Sequence, residues 1–260
     1  RRGGERIAIA DVDGDPLGRH ELDELYGLML GEALAAGGAV LSGPVGEEAL
    51  PPDTYRRLAA DLREAGVPVV VDLAGERMRA ALAGGVEVLK VSHEELAQDG
   101  LTSGGLADSD SAADIRAAMH RLRELGAGTV IVTRAEEPLW LLDEEGMLEV
   151  TPPRLEVADH RGAGDSLTAG VVAGMTRGER PREAIVRAAA AGALNVTRHG
   201  LGTGGWETID RLSRSVVVRA LPDEGGDPEP GSGSSSGARA RSASPSGVTR
   251  AEPGSESEPE

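Results

Sequence analysis

An α/β fold, with a doubly wound, mostly parallel sheet and helices on both faces, is the prediction for this chain. Three observations make it. Short aliphatic or β-branched runs alternate with helical patterns, which is how successive βαβ units read. Glycines punctuate the helix ends just ahead of strands, at Gly66 and Gly126. Hydrophobic residues make up 39% of 260 residues, enough for one core of this class. Only 2% are aromatic and none is Phe, so that core must be built from Ala, Val and Leu.

The elements follow in order. AVLSG (39–43) reads as a buried strand. Pro52 and Asp53 open a helix through Arg63 that Gly66 closes. PVVVDL (68–73) is a β-branched strand, a short helix runs over 76–83, and VEVLKV (86–91) is the next strand. A helix over 111–125 stops at Gly126, ahead of the strand TVIVT (129–133). LWLL and MLEV flank Asp143–Gly146 as a hairpin. Residues 1–220 form the folded domain on this reading. The acidic segment 221–260 is rich in Pro, Gly, Ser and Glu, has almost nothing to bury, and is expected to be disordered.

Net charge of −17 and a sequence pI near 4.8 disfavour nucleic acid and anionic membranes as partners. The absence of Cys excludes disulfides and thiolate metal sites, and the five histidines lack metal-ligand spacing. With no long apolar run and no signal peptide in view, the expected compartment is cytoplasmic. The chain opens on Arg1 rather than Met, which reads as a fragment.

In parallel α/β sheets ligands bind beyond the carboxyl ends of the strands, so chemistry is sought just after each one. One segment stands apart: Asp159-His160-Arg161-Gly162-Ala163-Gly164-Asp165-Ser166, followed by LTAGVVAGMTRG. Its glycines allow a tight turn and close backbone approach. The helix that follows presents free amides and its positive dipole end to an anion. Asp165 falls in the first turn beside that anion site. A base next to a phosphate cradle suits phosphoryl transfer to a hydroxyl. Spacing alone equally allows Asp165 to be a helix cap.

Gly162-Ala163-Gly164-Asp165-Ser166 resembles the Gly-Ala-Gly-Asp motif of the PfkB carbohydrate kinases. Leu41-Ser42-Gly43 with Pro51–Tyr55 resembles the family's strand and loop that approach the sugar. Lys90-Val91-Ser92-His93-Glu94-Glu95-Leu96 resembles its Lys-Pro-Asn-x-x-Glu-Leu element, and Val196–Gly200 the helix end beside the adenine. The likeness spans about residues 6 to 220 and is greatest to the 1-phosphofructokinase and tagatose-6-phosphate kinase branch.

That resemblance implies a ribokinase-like sheet whose N-terminal strands and most of whose β lid fall outside this sequence. It implies ATP as co-substrate with Mg²⁺, and Asp165 as the catalytic base. The anion hole would be Gly162, Ala163 and Gly164. Lys90, Ser92, Thr133, Arg134, Asn195 and Gly200 would serve the nucleotide. Glu95 would hold Mg²⁺ through water. Asp159 matches a monovalent-cation (K⁺) position, and Ser42 and Gly43 would meet the substrate. A homodimer is a further expectation, since members often dimerise through the lid.

The sequence departs from the family pattern at three places. His160 and Arg161 replace small residues, and Arg161 is expected either to stand in for the K⁺ ion or to point to solvent. Ser92 replaces the Asn of the Mg²⁺ element. Ala135-Glu136-Glu137-Pro138 replaces a Gly-x-x-Gly nucleotide turn. Lys90 is the chain's single lysine, and His93, at a helix start, is expected to face solvent or, as the alternative, ATP. The function expected is ATP-dependent phosphorylation of a sugar or sugar phosphate. The rivals are a kinase of an unphosphorylated sugar or nucleoside, and a non-catalytic nucleotide or sugar-phosphate binder.

Overall fold

The computed structural model describes residues 15–44, 49–103, 111–198 and 200–222. Beyond residue 222 the acidic segment lies outside the described residues, so the disorder expected of it is not addressed. Every element belongs to the unit Arg1–Asp223. Helix α1 (Arg19–Ala36) leads to strand β1 (Ala39–Ser42), followed by α2 (Pro52–Glu64), β2 (Val69–Asp72), α3 (Gly75–Gly84) and β3 (Val86–Ser92). Then come α4 (His93–Gln98), α5 (Ala112–Glu124), β4 (Ala127–Arg134), β5 (Glu137–Asp143) and β6 (Gly146–Thr151). The chain closes with α6 (Ala163–Met175), α7 (Pro181–Asn195), α8 (Trp206–Ser213) and β7 (Val217–Leu221).

The seven strands lie side by side in chain order. Pairing is parallel from β1 to β4 and antiparallel from β4 to β7, so the sheet is mixed. Alternation along the parallel strands divides the core. Val69, Val71, Leu89, Val91, Val130 and Val132 face α2, α3 and α5, where Leu58, Leu62, Met78, Leu82, Ile115 and Met119 are buried. Val70, Val88 and Ile131 face the other way, onto Leu167 and Val171 of α6 and Ile185 of α7. Burial on both faces is why these strands read as continuous apolar runs rather than alternating ones. Each such side chain contributes about 1.5–3 kcal/mol on burial.

Elements α1, α8 and β7 escaped the sequence reading, and α7 was read only at its end. Tyr26, Met29, Leu30 and Ala33 of α1 have helical spacing and pack on the core, but Leu28 and Leu34, 60% and 50% exposed, obscure the period. Helix α7 is Ala-rich because it lies very close to α6. A Cβ on Gly170 would come within 2.6 Å of Ala188 Cα, and one on Gly174 within 2.5 Å of Ala184 Cβ. Strand β7 pairs with β6 over Val217–Leu221, a segment whose residues are mostly exposed and carry no alternating pattern. No helix among the described residues is long and apolar enough to cross a membrane.

Candidate active site

The carboxyl ends of the parallel strands and the N-terminus of α6 meet on one face of the sheet. Helix α6 starts from Gly162, whose φ of 72° and ψ of 10° are left-handed. That conformation favours glycine, and a Cβ there would also displace the Leu201 side chain, whose Cδ2 would stand 2.6 Å away. The Ser166 amide is the first to find a helical acceptor, the Gly162 carbonyl at 2.9 Å. The amides of Ala163, Gly164 and Asp165 precede it and have no acceptor within the helix. The amides without a helical acceptor thus include that of Asp165, one residue beyond the set the resemblance implies. The Asp165 side chain is exposed and has no hydrogen-bond or ion-pair partner among the described residues. It is no helix cap: the cap is Gly162, with no side-chain capping bond.

The loop ahead of α6 is fixed by the end of α7. Asn195, 2% exposed, donates from Nδ2 to the Arg161 carbonyl at 2.6 Å and accepts at Oδ1 from the Gly202 amide at 3.1 Å. The amides of Ala158 and Asp159 both donate to the Val196 carbonyl, at 2.8 and 3.1 Å. Asn195 was expected at the nucleotide; its side-chain amide ties the 159–162 loop to the turn after Gly200. Asp159 carries the Arg161 guanidinium: Nε donates to Oδ1 and Oδ2 at 3.1 and 3.0 Å, and Nη2 to Oδ2 at 2.5 Å. The Asp159 side chain is 9% exposed and that of Arg161 57%. The hydrogen bond and charge of Asp159 raise the Arg161 pKa above its ordinary value.

Lys90 is buried and donates to Asp72 Oδ1 and Oδ2 at 2.9 and 3.2 Å. A Cβ on Gly164 would lie 3.1 Å from Lys90 Nζ, so the ammonium sits directly beneath the first turn of α6. Asp72 was read only as part of a strand; its place as a carboxylate at the end of that buried strand was the available signal.

Register places Ser42 beside Asp72, at the same end of the sheet. The Ser42 carbonyl accepts from the Tyr55 hydroxyl at 3.3 Å, and a Cβ on Gly43 would meet Leu73 Cδ2 at 3.3 Å. Ser92 and Glu95 form a reciprocal cap on α4: Glu95 Oε2 accepts from the Ser92 amide at 2.7 Å and Ser92 Oγ from the Glu95 amide at 3.2 Å. His93 is not solvent-facing, as expected, but buried at 7% exposure, its Nδ1 3.3 Å from the Thr133 carbonyl. It opens α4 where β3 and β4 run side by side, and that packing covers the ring.

Arg134 turns toward the β4–β5 hairpin. Its guanidinium stacks 4.2 Å from the Trp140 ring centroid, and Nε donates to the Pro138 carbonyl at 3.0 Å. Ala135, in the turn that replaces two glycines, is left-handed with φ 48°. No group of three or more acidic or histidine side chains placed to hold a metal occurs among the described residues.

Comparison with known proteins agrees with this architecture. The pfkB family carbohydrate kinase model matches residues 32–209. The chain belongs to that family. A 1-phosphofructokinase of Vibrio cholerae is 32% identical over 185 residues, covering 70% of this chain and 56% of that protein. A 1-phosphofructokinase of Haemophilus influenzae is 29% identical over 172 residues, covering 65% of this chain and 53% of that protein. The chain thus spans a little over half the length of these relatives. Phosphofructokinase-2 of Escherichia coli, solved in complex with potassium, superposes with a TM-score of 0.65 at 22% identity, covering 79% of this chain and 65% of that one. The sheet and its flanking helices therefore have the ribokinase-like fold.

Proposed function

We propose that the protein of which this chain is part transfers a phosphoryl group from Mg·ATP to a hydroxyl of a sugar or sugar phosphate, as a phosphofructokinase-like kinase. The observation that carries the reading is a carboxylate, Asp165, with no partner among the described residues, in the first turn of a helix whose three leading amides have no acceptor within the helix. The amides of Ala163, Gly164 and Asp165 bind and orient the negative oxygens of the transferring group. Asp165, held by the same turn, takes the proton of the acceptor hydroxyl. Lys90 adds a positive charge beneath those amides. Phosphorylated ketohexoses are the first acceptors to try, in view of the 1-phosphofructokinases among the relatives.

Mg²⁺ suits the residues present, because it keeps much of its water and needs only one or two carboxylates beside phosphate oxygens. Glu95 and Ser92 would hold it through water, since one Glu95 oxygen is already given to the Ser92 amide. When bound, the ion offsets phosphate charge. A monovalent cation on Asp159 does not suit them: the guanidinium of Arg161 already occupies that carboxylate. Arg161 takes the place of such an ion.

Binding without turnover is favoured by one observation, the tight turn at Ala135, whose neighbour Arg134 is committed to Trp140 and Pro138. One assay separates the readings. ADP release from Mg·ATP is followed with fructose 1-phosphate, fructose 6-phosphate and tagatose 6-phosphate, in NaCl and in KCl, for this chain, for an N-terminally extended one, and for their Asp165→Asn variants. Acceptor-dependent release that falls by at least about a hundredfold in the variant, with equal rates in both salts, is the expected result. Release unaffected by Asp165→Asn refutes the base, and nucleotide binding without release in either chain leaves the binding reading.

A further inference from the structure

Asp72 ends β2 in register with Ser42 and Lys90, on the sheet face that Val70 shares with α6. Its side chain is 16% exposed and that of Lys90 11%. Both Asp72 oxygens accept from the ammonium. A third contact ties the same carboxylate to the helix. Thr168 Oγ1, on a residue 2% exposed, lies 3.0 Å from Asp72 Oδ2 and 3.0 Å from the Gly164 carbonyl. Its single proton favours the charged acceptor.

Lys90, Asp72, Thr168 and Gly164 therefore form one connected set between two strands and the first turn of α6. Flexible lysine stems lose much rotamer freedom when their ammonium is fixed by a ligand. Here that freedom is removed in advance, by groups the chain itself supplies.

We propose that Asp72 is a positioning residue, which together with Thr168 holds the ammonium of Lys90 as a fixed charge under the amides that bind the transferring phosphoryl group. Lys90 acts from below the first turn of α6, in place, rather than by reaching out to its ligand. This rests on the reading of that turn as an anion site. An ammonium fixed in advance at a site where charge develops stabilises it without reorganisation. Asp72→Asn removes the charge that holds the ammonium and leaves one neutral acceptor in its place.

The single lysine makes the test direct. The chain labelled with ¹³C,¹⁵N-lysine gives one set of side-chain signals, read by NMR alone and during titration with Mg·ADP. The expected result has three parts. The Cε signal of the unliganded chain relaxes as an ordered group, it shifts on titration, and Asp72→Asn makes it mobile while weakening Mg·ADP binding by about tenfold at unchanged fold. Thr168→Val removes only the hydroxyl and is expected to weaken binding by about threefold; it decides the matter if Asp72→Asn does not fold. An ordered Lys90 signal that Mg·ADP leaves unmoved makes the pair a structural ion pair and overturns the proposal. So does affinity unchanged in Asp72→Asn, or in Thr168→Val where that variant decides. Because no readout is turnover, absent kinase activity with a ligand-sensitive Lys90 would count against the proposed function and leave the positioning of Lys90 standing.

Discussion

Replacing Asn195 by alanine removes the tie between α7 and the loop that opens α6. Its carboxamide makes two hydrogen bonds, to the Arg161 carbonyl at 2.6 Å and from the Gly202 amide at 3.1 Å, from a side chain 2% exposed. Each bond contributes about 1 kcal/mol net, and an orphaned partner in a partly buried loop adds to the loss, so the substitution costs about 2–3 kcal/mol. Arg161 immediately precedes Gly162, so part of that loss is freedom gained by the backbone that aims the Ala163, Gly164 and Asp165 amides. Asn195→Asp tests the donor separately. It keeps the acceptor for Gly202 but sets a carboxylate oxygen against the Arg161 carbonyl, so at neutral pH it should destabilise at least as much as alanine. Urea unfolding of the three proteins, compared at their transition midpoints with equal slopes, measures both. A change below about 0.5 kcal/mol in both variants would refute the clamp, as a surface substitution is expected to fall in that range.

Two further predictions concern stability. Ala135→Gly relieves a left-handed alanine at φ 48° and should stabilise the chain by about 1 kcal/mol in the same urea measurement; an unchanged midpoint would show that the turn is not strained. Burial alone would raise the Asp143 pKa, but the Arg182 hydrogen bond, the Glu145 amide and the charges of Arg182 and Arg123 outweigh it and bring the carboxyl below its ordinary value. A depressed carboxyl stabilises the fold above the unfolded pKa of about 3.9, and that stability is lost as pH falls through the folded value. Asp143→Asn should therefore lose about 1–3 kcal/mol at pH 7, and the difference from the parent should shrink as pH falls below about 4. A pH-independent difference would contradict the ion pair with Arg182.

How much of this was legible in the sequence varied with the element. The buried strands β2, β3 and β4 stood out because aliphatic runs bounded by glycine or proline leave little choice of conformation. The β5–β6 hairpin was equally clear, from Asp143 and Gly146 between two apolar runs. Helix α1 was hidden by exposed leucines, and β7 by a lack of alternation, since an edge strand with both faces largely open needs none.

At the site, local chemistry was readable and partnership was not. Gly162-Ala163-Gly164-Asp165 announced a tight turn and a helix start, because a left-handed residue favours glycine and the leading amides of any helix are unpaired; that Asp165 is no cap came from the structure. The sequence likewise marked Lys90 as unusual by its solitude. Only the tertiary structure could join that lysine to Asp72, eighteen residues earlier, and to Thr168 on a helix far along the chain. Only it could show Asn195 clamping the loop ahead of α6, and set Arg161 on Asp159. Propensity and glycine placement act over a few neighbouring residues, and the sequence carries them openly. Which polar group meets which is decided by strand register and helix docking, and those depend on the whole core at once.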